Sequence, residues 1–246
     1  MLFENFTVDG IYSGIYASYY EIINCGFAGT HLWLSGSFMM LKNSKLGILI
    51  DISASYSEIR NNTFNRCVYL TFAATNLVFK DNVVNEPYYY PALKVACKNS
   101  YIANNMLTSK NGNSITIESN ANGNMIYNNS IRDCTQNEIK IASATNNTLT
   151  ADRIENCRYG IYIVPGDLEG YFNNIDSSNT INGHPVLYIV NESDKTYTGS
   201  YGFVGIVNCT NVSVDVYSTQ PNYHEVVIAY TNDSSITVGD VNSSSY

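Results

Sequence analysis

Basic residues are scarce in this chain. Only 13 of its 246 residues are lysine or arginine, against 21 aspartate and glutamate residues, so the formal net charge is −8 at pH 7. A surface that binds nucleic acid needs clustered cationic side chains. The composition therefore argues against nucleic acid as a partner.

Long apolar runs are also missing. No hydrophobic segment approaches the roughly 20 residues that a membrane-spanning helix needs. The start of the chain shows neither the cationic nor the apolar region of a signal peptide. We therefore expect no membrane span. Export would use a signal that is not visible here, or the chain is part of a longer protein.

Metal-binding motifs are absent as well. The six cysteines form no Cys-x-x-Cys pair, which argues against a zinc ribbon or a redox motif of that kind. The three histidines, His31, His184 and His224, are far apart in the sequence. A copper or zinc site would need them to converge with other ligands. We expect no metal site and no cofactor.

A repeated phrase is what the chain does contain. A short polar and hydrophobic stretch recurs at intervals of 18 to 24 residues. The apolar residues that close its copies are Phe27, Leu46, Phe64, Val84, Leu107, Ile131 and Ile154. Each copy is followed by a second phrase in which apolar and other residues alternate, as in Ser114-Ile-Thr-Ile117. Such alternation is typical of a half-buried strand.

Repeats of this length, with short strands and no helical period, predict one turn of a β-solenoid each. Crossover chirality favours the right hand. We therefore predict an all-β fold, a single-stranded right-handed parallel β-helix of about ten to eleven turns. Residues 1–246 would form one domain, with a small insertion or irregular turn around 183–203. In this stack Ile117, Ile141 and Ile163 lie above one another in the core.

Asparagine recurs at the bends between phrases. One position holds Asn61, Asp81, Asn104 and Asn128, and the next holds Asn62, Asn82, Asn105 and Asn129. Asparagine tolerates left-handed backbone, and stacked amides can hydrogen-bond along the solenoid axis. We interpret both positions as structural. Cys134 and Cys157 also occupy equivalent places in adjacent repeats, either as buried free thiols or as a disulfide.

Two segments in the last third depart from the plain repeat. They are Ser177-Ser-Asn-Thr-Ile-Asn-Gly-His-Pro-Val-Leu-Tyr-Ile-Val-Asn-Glu-Ser193 and Gly202-Phe-Val-Gly-Ile-Val-Asn-Cys-Thr-Asn-Val-Ser-Val214. Together they resemble the NosD-type parallel β-helix. Residues 1–176 resemble the carbohydrate-binding and sugar-hydrolase (CASH) repeat of the pectin-lyase-like superfamily. The resemblance implies a β-helix. Its members include surface proteins, polysaccharide-modifying enzymes and a periplasmic accessory protein for copper-enzyme maturation.

One outward position of the second phrase suggests a binding surface. It reads Tyr16, Trp33, Leu49, Tyr69, Lys94, Thr116, Lys140 and Tyr162. Aromatic faces can stack on sugar rings, and lysine can pair with uronate or sulfate. The candidate carbohydrate-binding residues are therefore Tyr16, Trp33, Tyr69, Lys94, Lys140 and Tyr162. The alternative is an ordinary solvent-facing β-surface. No catalytic residue is assigned.

The sequence also carries Asn-x-Ser/Thr glycosylation sequons. They begin at Asn5, Asn61, Asn128, Asn146, Asn191, Asn208, Asn211, Asn232 and Asn242.

The function that these patterns favour is a structural or adhesion β-helix at the cell surface or outside the cell. It would bind polysaccharide along its exterior, and a non-enzymatic role is preferred. A polysaccharide lyase, hydrolase or epimerase is the first alternative. A NosD-like copper-enzyme accessory protein is the second. Open solenoid ends expose unpaired strand edges, so we expect other domains or subunits to dock there.

Overall fold

Strands account for most of the structure. The computed structural model describes residues 1–86, 88, 90–134, 138–157, 159–218 and 225–240. The first ten strands are β1 (Leu2–Glu4), β2 (Thr7–Tyr16), β3 (Glu21–Ile23), β4 (Gly26–Ser37), β5 (Met40–Lys42), β6 (Lys45–Leu46), β7 (Leu49–Ser55), β8 (Glu58–Arg60), β9 (Thr63–Phe64) and β10 (Val68–Leu70). The next ten are β11 (Val78–Lys80), β12 (Val83–Glu86), β13 (Leu93–Val95), β14 (Tyr101–Ala103), β15 (Met106–Ser109), β16 (Ile115–Ile117), β17 (Met125–Tyr127), β18 (Ser130–Arg132), β19 (Ile139–Ala142) and β20 (Thr148–Thr150).

Among the described residues the one helical element is a 3-10 turn at Glu169–Tyr171, which lies between two of the last ten strands. These strands are β21 (Arg153–Glu155), β22 (Ile161–Val164), β23 (Asn174–Ile175), β24 (Thr180–Ile181), β25 (His184–Val190), β26 (Ser193–Gly199), β27 (Phe203–Val207), β28 (Thr210–Ser218), β29 (Glu225–Ala229) and β30 (Ser235–Asp240).

The strands wind into a right-handed parallel β-helix of about 11 turns, as predicted. One face is a nine-stranded parallel sheet of β1, β3, β5, β8, β11, β14, β17, β20 and β23. The other strands up to β24 form the remaining faces. These faces belong to one continuous sheet, because the long strands β2 and β4 each pass through a corner from one face to the next. Ile117 pairs in register with Ile141, and Ile141 pairs with Ile163. The predicted stacking of these three residues is confirmed.

Alternation along each strand builds the core. β7, for example, alternates strictly between buried and half-buried residues. Equivalent inward residues stack into columns, and the column Leu41, Ile59, Phe79, Ile102, Ile126 and Leu149 is fully buried. Burial of these aliphatic and aromatic side chains stabilises each turn against the turns beside it.

The asparagine bends adopt the predicted geometry. Asn61, Asp81, Asn104 and Asn128 all have φ between 53° and 56°. The following asparagines form a buried ladder, in which the side-chain amide of Asn62 donates to Oδ1 of Asn82 at 3.1 Å. The same bond joins Asn82 to Asn105 at 3.2 Å and Asn105 to Asn129 at 2.9 Å. The structural interpretation of these positions is confirmed.

The chain reverses direction after β24. Asn182 and Gly183 both have positive φ, at 49° and 84°, and they join β24 to β25 as an antiparallel hairpin. Asn-Gly favours such two-residue turns because both positions need left-handed backbone. From β25 onward a second stack forms, with β25, β27 and β29 on one side and β26, β28 and β30 on the other. Residues 183–203 hold its first two strands.

Candidate functional site

One column of outward side chains runs along seven consecutive turns. Parallel pairing places Trp33, Asp51, Tyr69, Lys94, Thr116, Lys140 and Tyr162 in successive register. We call this column the exterior row. Five of the six predicted carbohydrate-binding residues lie in it, because strands with period two project alternate residues from the same face of every turn.

Tyr16 and Leu49 do not belong to the exterior row, which corrects the predicted alignment. Tyr16 pairs with Ser35, two residues beyond Trp33, and Leu49 pairs with His31, two residues before it. A two-residue slip keeps every side chain on its own face, so hydrophobic alternation could not reveal the error. Asp51 takes the place that was assigned to Leu49.

Aromatic rings crowd the first end of the exterior row. His31 and Trp33 project from the same face of β4, and their ring centroids are 3.9 Å apart in a stacked arrangement. Tyr12, the register partner of His31 on β2, stacks near Trp33 at 5.8 Å. Nε2 of His31 lies 3.1 Å from Oδ2 of Asp51 on the next turn. The misplaced Leu49 hid Asp51, the partner of His31, so this cluster was not predicted.

In the middle of the exterior row, the side chains of Tyr69, Lys94 and Glu118 contact one another. Nζ of Lys94 lies 4.3 Å from the ring centroid of Tyr69 and 3.0 Å from Oε1 of Glu118. The hydroxyl of Tyr69 donates to Oε2 of Glu118 at 3.4 Å. Glu118 was missed from the sequence, although it lies two residues after Thr116 and so projects from the same face.

Charge balance in this group keeps the lysine ionised. Partial burial acts to lower the pKa of Lys94, but the hydrogen bond and charge of Glu118 outweigh it and raise that pKa. Burial, followed by the nearby Glu118 carboxylate, raises the pKa of Tyr69, so its hydroxyl remains a donor. The ring of Tyr69 and the ammonium group of Lys94 are therefore both held in place by their neighbours.

The far end of the exterior row is more open. Thr116 is buried and accepts a hydrogen bond from the Asn113 side chain at 3.1 Å. Tyr162 is 43% exposed, and Lys140 is half-buried. Among the described residues, no carboxylate lies within ion-pairing distance of Lys140. Lys140 is therefore the cation of the row that is available to a ligand.

The carboxylates at the exterior row have nitrogen partners. Asp51 and Glu118 each contact a nitrogen group of the protein, His31 and Lys94 respectively. A general acid needs a carboxyl group whose pKa is raised toward neutrality. Asp152, a carboxyl group whose pKa is raised, is buried in the asparagine ladder rather than in the row.

The sequons lie on the surface. The eight described asparagines are exposed, and all of these except Asn232 have positive φ. Several form hydrogen-bonded pairs along the axis, such as Asn208 with Asn191 at 2.7 Å. Asn242 lies outside the described residues. Their glycosylation stays a prediction.

His184 is remote from the exterior row in register. Nδ1 of His184 lies 3.0 Å from Oγ of Ser200 in the second stack. His224 is not among the described residues. Within the described part of the chain, no three His, Cys, Asp or Glu side chains converge as a metal site would require, and no helix could span a membrane.

Comparison with known proteins supports the fold. No family model and no curated protein matches the chain, so the NosD-type resemblance stays a prediction. Among solved structures, a tailspike protein of E. coli bacteriophage HK620 is similar over 96% of this chain and 55% of its own, with a TM-score of 0.60 and 12% identity. This likeness establishes the architecture.

Two further structures are more distant. The catalytic unit of an α-1,3-glucanase from Streptomyces thermodiastaticus has a TM-score of 0.42 and 14% identity, over 91% of this chain and 55% of its own. A mannuronan C-5 epimerase module from Azotobacter vinelandii has a TM-score of 0.38 and 6% identity, over 98% of this chain and 79% of its own. This chain spans about half the length of the tailspike and the glucanase.

Proposed function

We propose that this β-helix binds polysaccharide and that the exterior row is its binding surface. The observation that carries the proposal is the register itself, which brings Trp33, Tyr69, Lys94, Lys140 and Tyr162 into one column. A column with one residue per turn, at a spacing of about 4.8 Å, presents repeated contacts to a linear polymer. Aromatic rings and hydrogen-bonding side chains are the groups that hold sugar rings.

The charges of the exterior row favour a neutral or weakly acidic glycan. Lys94 is balanced by Glu118 and His31 contacts Asp51, so Lys140 supplies the available positive charge. The chain as a whole carries a net charge of −8, which repels densely charged polyanions. A polysaccharide of this kind is met outside the cell, so the proposal includes an extracellular or cell-surface location.

An enzymatic role has weaker support. A glycosidase, for example, needs two carboxyl groups that flank one bond. Asp51 and Glu118 belong to turns that are three register steps apart, and each contacts a nitrogen group of the protein. The copper-accessory alternative has no convergent ligand group among the described residues to support it. Binding without turnover is therefore the function that we propose.

Glycan binding by the exterior row can be tested directly. The wild-type chain would be screened on a glycan array, and the affinity for the strongest ligand measured by calorimetry. We expect Trp33→Ala and Tyr69→Ala each to weaken binding about tenfold, or ~1.4 kcal/mol, because each removes an aromatic contact.

The control is Tyr217→Ala, because this tyrosine is 50% exposed on β28, away from the exterior row. Its affinity should equal that of the wild type, and circular dichroism would verify that all three variants fold. Equal affinities for wild type, Trp33→Ala and Tyr69→Ala would contradict the proposal. Turnover of the bound polymer would instead favour the enzymatic alternative.

A further inference from the structure

Two cysteines on adjacent turns have matching conformations. Cys134 and Cys157 each follow a left-handed bend residue, Asp133 with φ 55° and Asn156 with φ 56°. The strands before them pair in register through Ile131 with Ile154. The sulfur of Cys134 lies 3.1 Å from the carbonyl oxygen two residues back, and that of Cys157 lies 3.0 Å from its equivalent.

This stacking brings the two thiols within bonding range. Paired strands lie about 4.8 Å apart, and disulfides bridge Cα atoms separated by about 4.4–6.8 Å. The two thiols also interact, since each shifts the pKa of the other. Oγ of Ser114, from the turn below, also contacts the sulfur of Cys134. All six cysteines are free thiols in the structure.

The same contacts activate one of the thiols. Interaction with the Cys157 thiol lowers the pKa of Cys134, against the opposing effect of burial, and the hydroxyl of Ser114 assists. The same interaction raises the pKa of Cys157. Elsewhere burial raises the pKa of Cys67 to about 12 and that of Cys97 to about 11. The thiolate is the nucleophilic form of cysteine, so Cys134 should be more reactive than Cys67 and Cys97.

We propose that Cys134 and Cys157 form a redox-active pair that closes to a disulfide by exchange with a small-molecule disulfide. The Cys134 thiolate attacks one sulfur of that reagent, forms a mixed disulfide and releases one thiolate. The Cys157 sulfur, after losing its proton, attacks the Cys134 sulfur and releases the second. Both cysteines are oxidised, and the reagent is reduced to two thiols.

The test uses the intact chain and oxidised glutathione as the reagent. Intact-mass spectrometry of the wild type should show a loss of two hydrogen atoms, and peptide mapping should locate the new bond between Cys134 and Cys157. Cys157→Ser should instead retain one glutathione on Cys134, because no second thiol can displace it. Cys134→Ser should prevent the bond.

Cys67→Ser is the matched control. Cys67 occupies the equivalent place three residues after Phe64, but its thiol has no cysteine partner among its described contacts and its pKa is raised. This variant should form the Cys134–Cys157 bond at the wild-type rate. As a second readout, alkylation of Cys134 should reach half its maximal rate at a lower pH than alkylation of Cys67. An oxidised wild type without the Cys134–Cys157 bond, or an alkylation midpoint for Cys134 no lower than that for Cys67, would overturn the proposal.

Discussion

At the scale of single residues, the most informative position is Asp152 in the asparagine ladder. Its Oδ1 accepts hydrogen bonds from the backbone and side-chain nitrogens of Asn129 at 2.7 and 2.9 Å, as an asparagine oxygen does in the turns below. Its Oδ2 takes the place of an amide nitrogen, is buried, and has no hydrogen-bond partner. Burial raises its pKa to about 7. A protonated Oδ2 restores the missing donor, so the neutral acid imitates asparagine.

Asp152→Asn should therefore stabilise the protein at alkaline pH. The folded-state pKa of about 7 exceeds the unfolded value of about 3.9, so the folded state holds the extra proton between these values. Wild-type stability then falls as pH rises from about 4 through 7. Urea denaturation should show Asp152→Asn more stable than wild type at pH 8, and a smaller difference at pH 5.

The matched control for this prediction is Asp81→Asn. Asp81 is exposed at a left-handed bend, where its equivalents in other turns are asparagine. The same chemical change there should leave the pH dependence of unfolding unaltered. If Asp152→Asn lost stability at pH 8 relative to wild type, the neutral-acid interpretation would be wrong.

At the scale of elements, the long strand β4 depends on two glycines. Gly29 and Gly36 have φ of 134° and 122°, a region that side chains with a Cβ rarely enter. A Cβ on Gly36 would lie 1.6 Å from the carbonyl oxygen of Ala17 on the turn below, and one on Gly29 would meet Gly10 in the same way. These glycines let β4 follow the corner while it stays close to β2.

Gly36→Ala should therefore destabilise the fold by well over ~1 kcal/mol, since both the backbone angle and the close approach oppose a Cβ. Gly47→Ala is the comparison, because a Cβ there meets only the Phe27 carbonyl oxygen at 3.6 Å, an ordinary contact. Thermal unfolding monitored by circular dichroism should show a much lower midpoint for Gly36→Ala alone. Similar midpoints for both variants would contradict this account.

The alternation of apolar and polar residues also explains which features of the strands could be predicted from the sequence. It predicted the strands and the stacking of Ile117, Ile141 and Ile163, because inward and outward positions differ sharply in polarity. It could not choose between registers two residues apart, and so it misplaced Tyr16 and displaced Asp51 from the exterior row. Glu118 lies just past the end of β16, so the strand pattern did not include it, although it contacts Lys94 in the row.

At the scale of the whole molecule, the described residues form two hydrophobic cores. The larger runs through the turns from β1 to β24 and extends to Val186 and Phe203. The smaller lies inside the second stack and includes Val212, Val214 and Val216. In a solenoid each turn contacts only its neighbours, so a defect in one core should act locally.

Val214→Ala should separate the responses of the two cores. Val214 is fully buried and pairs with Tyr197 and Ile236, so the cavity should cost about 2 kcal/mol in that stack. Hydrogen exchange followed by mass spectrometry should show amides of β26, β28 and β30 exchanging about 30-fold faster, while those of β8 to β16 keep their wild-type protection.

Ile102→Ala, in the larger core, should give the reverse pattern, because Ile102 is fully buried on β14 between β11 and β17. Equal loss of protection in both stacks from either variant would mean that the molecule opens as one cooperative unit, and the nearest-neighbour description would then fail for this chain.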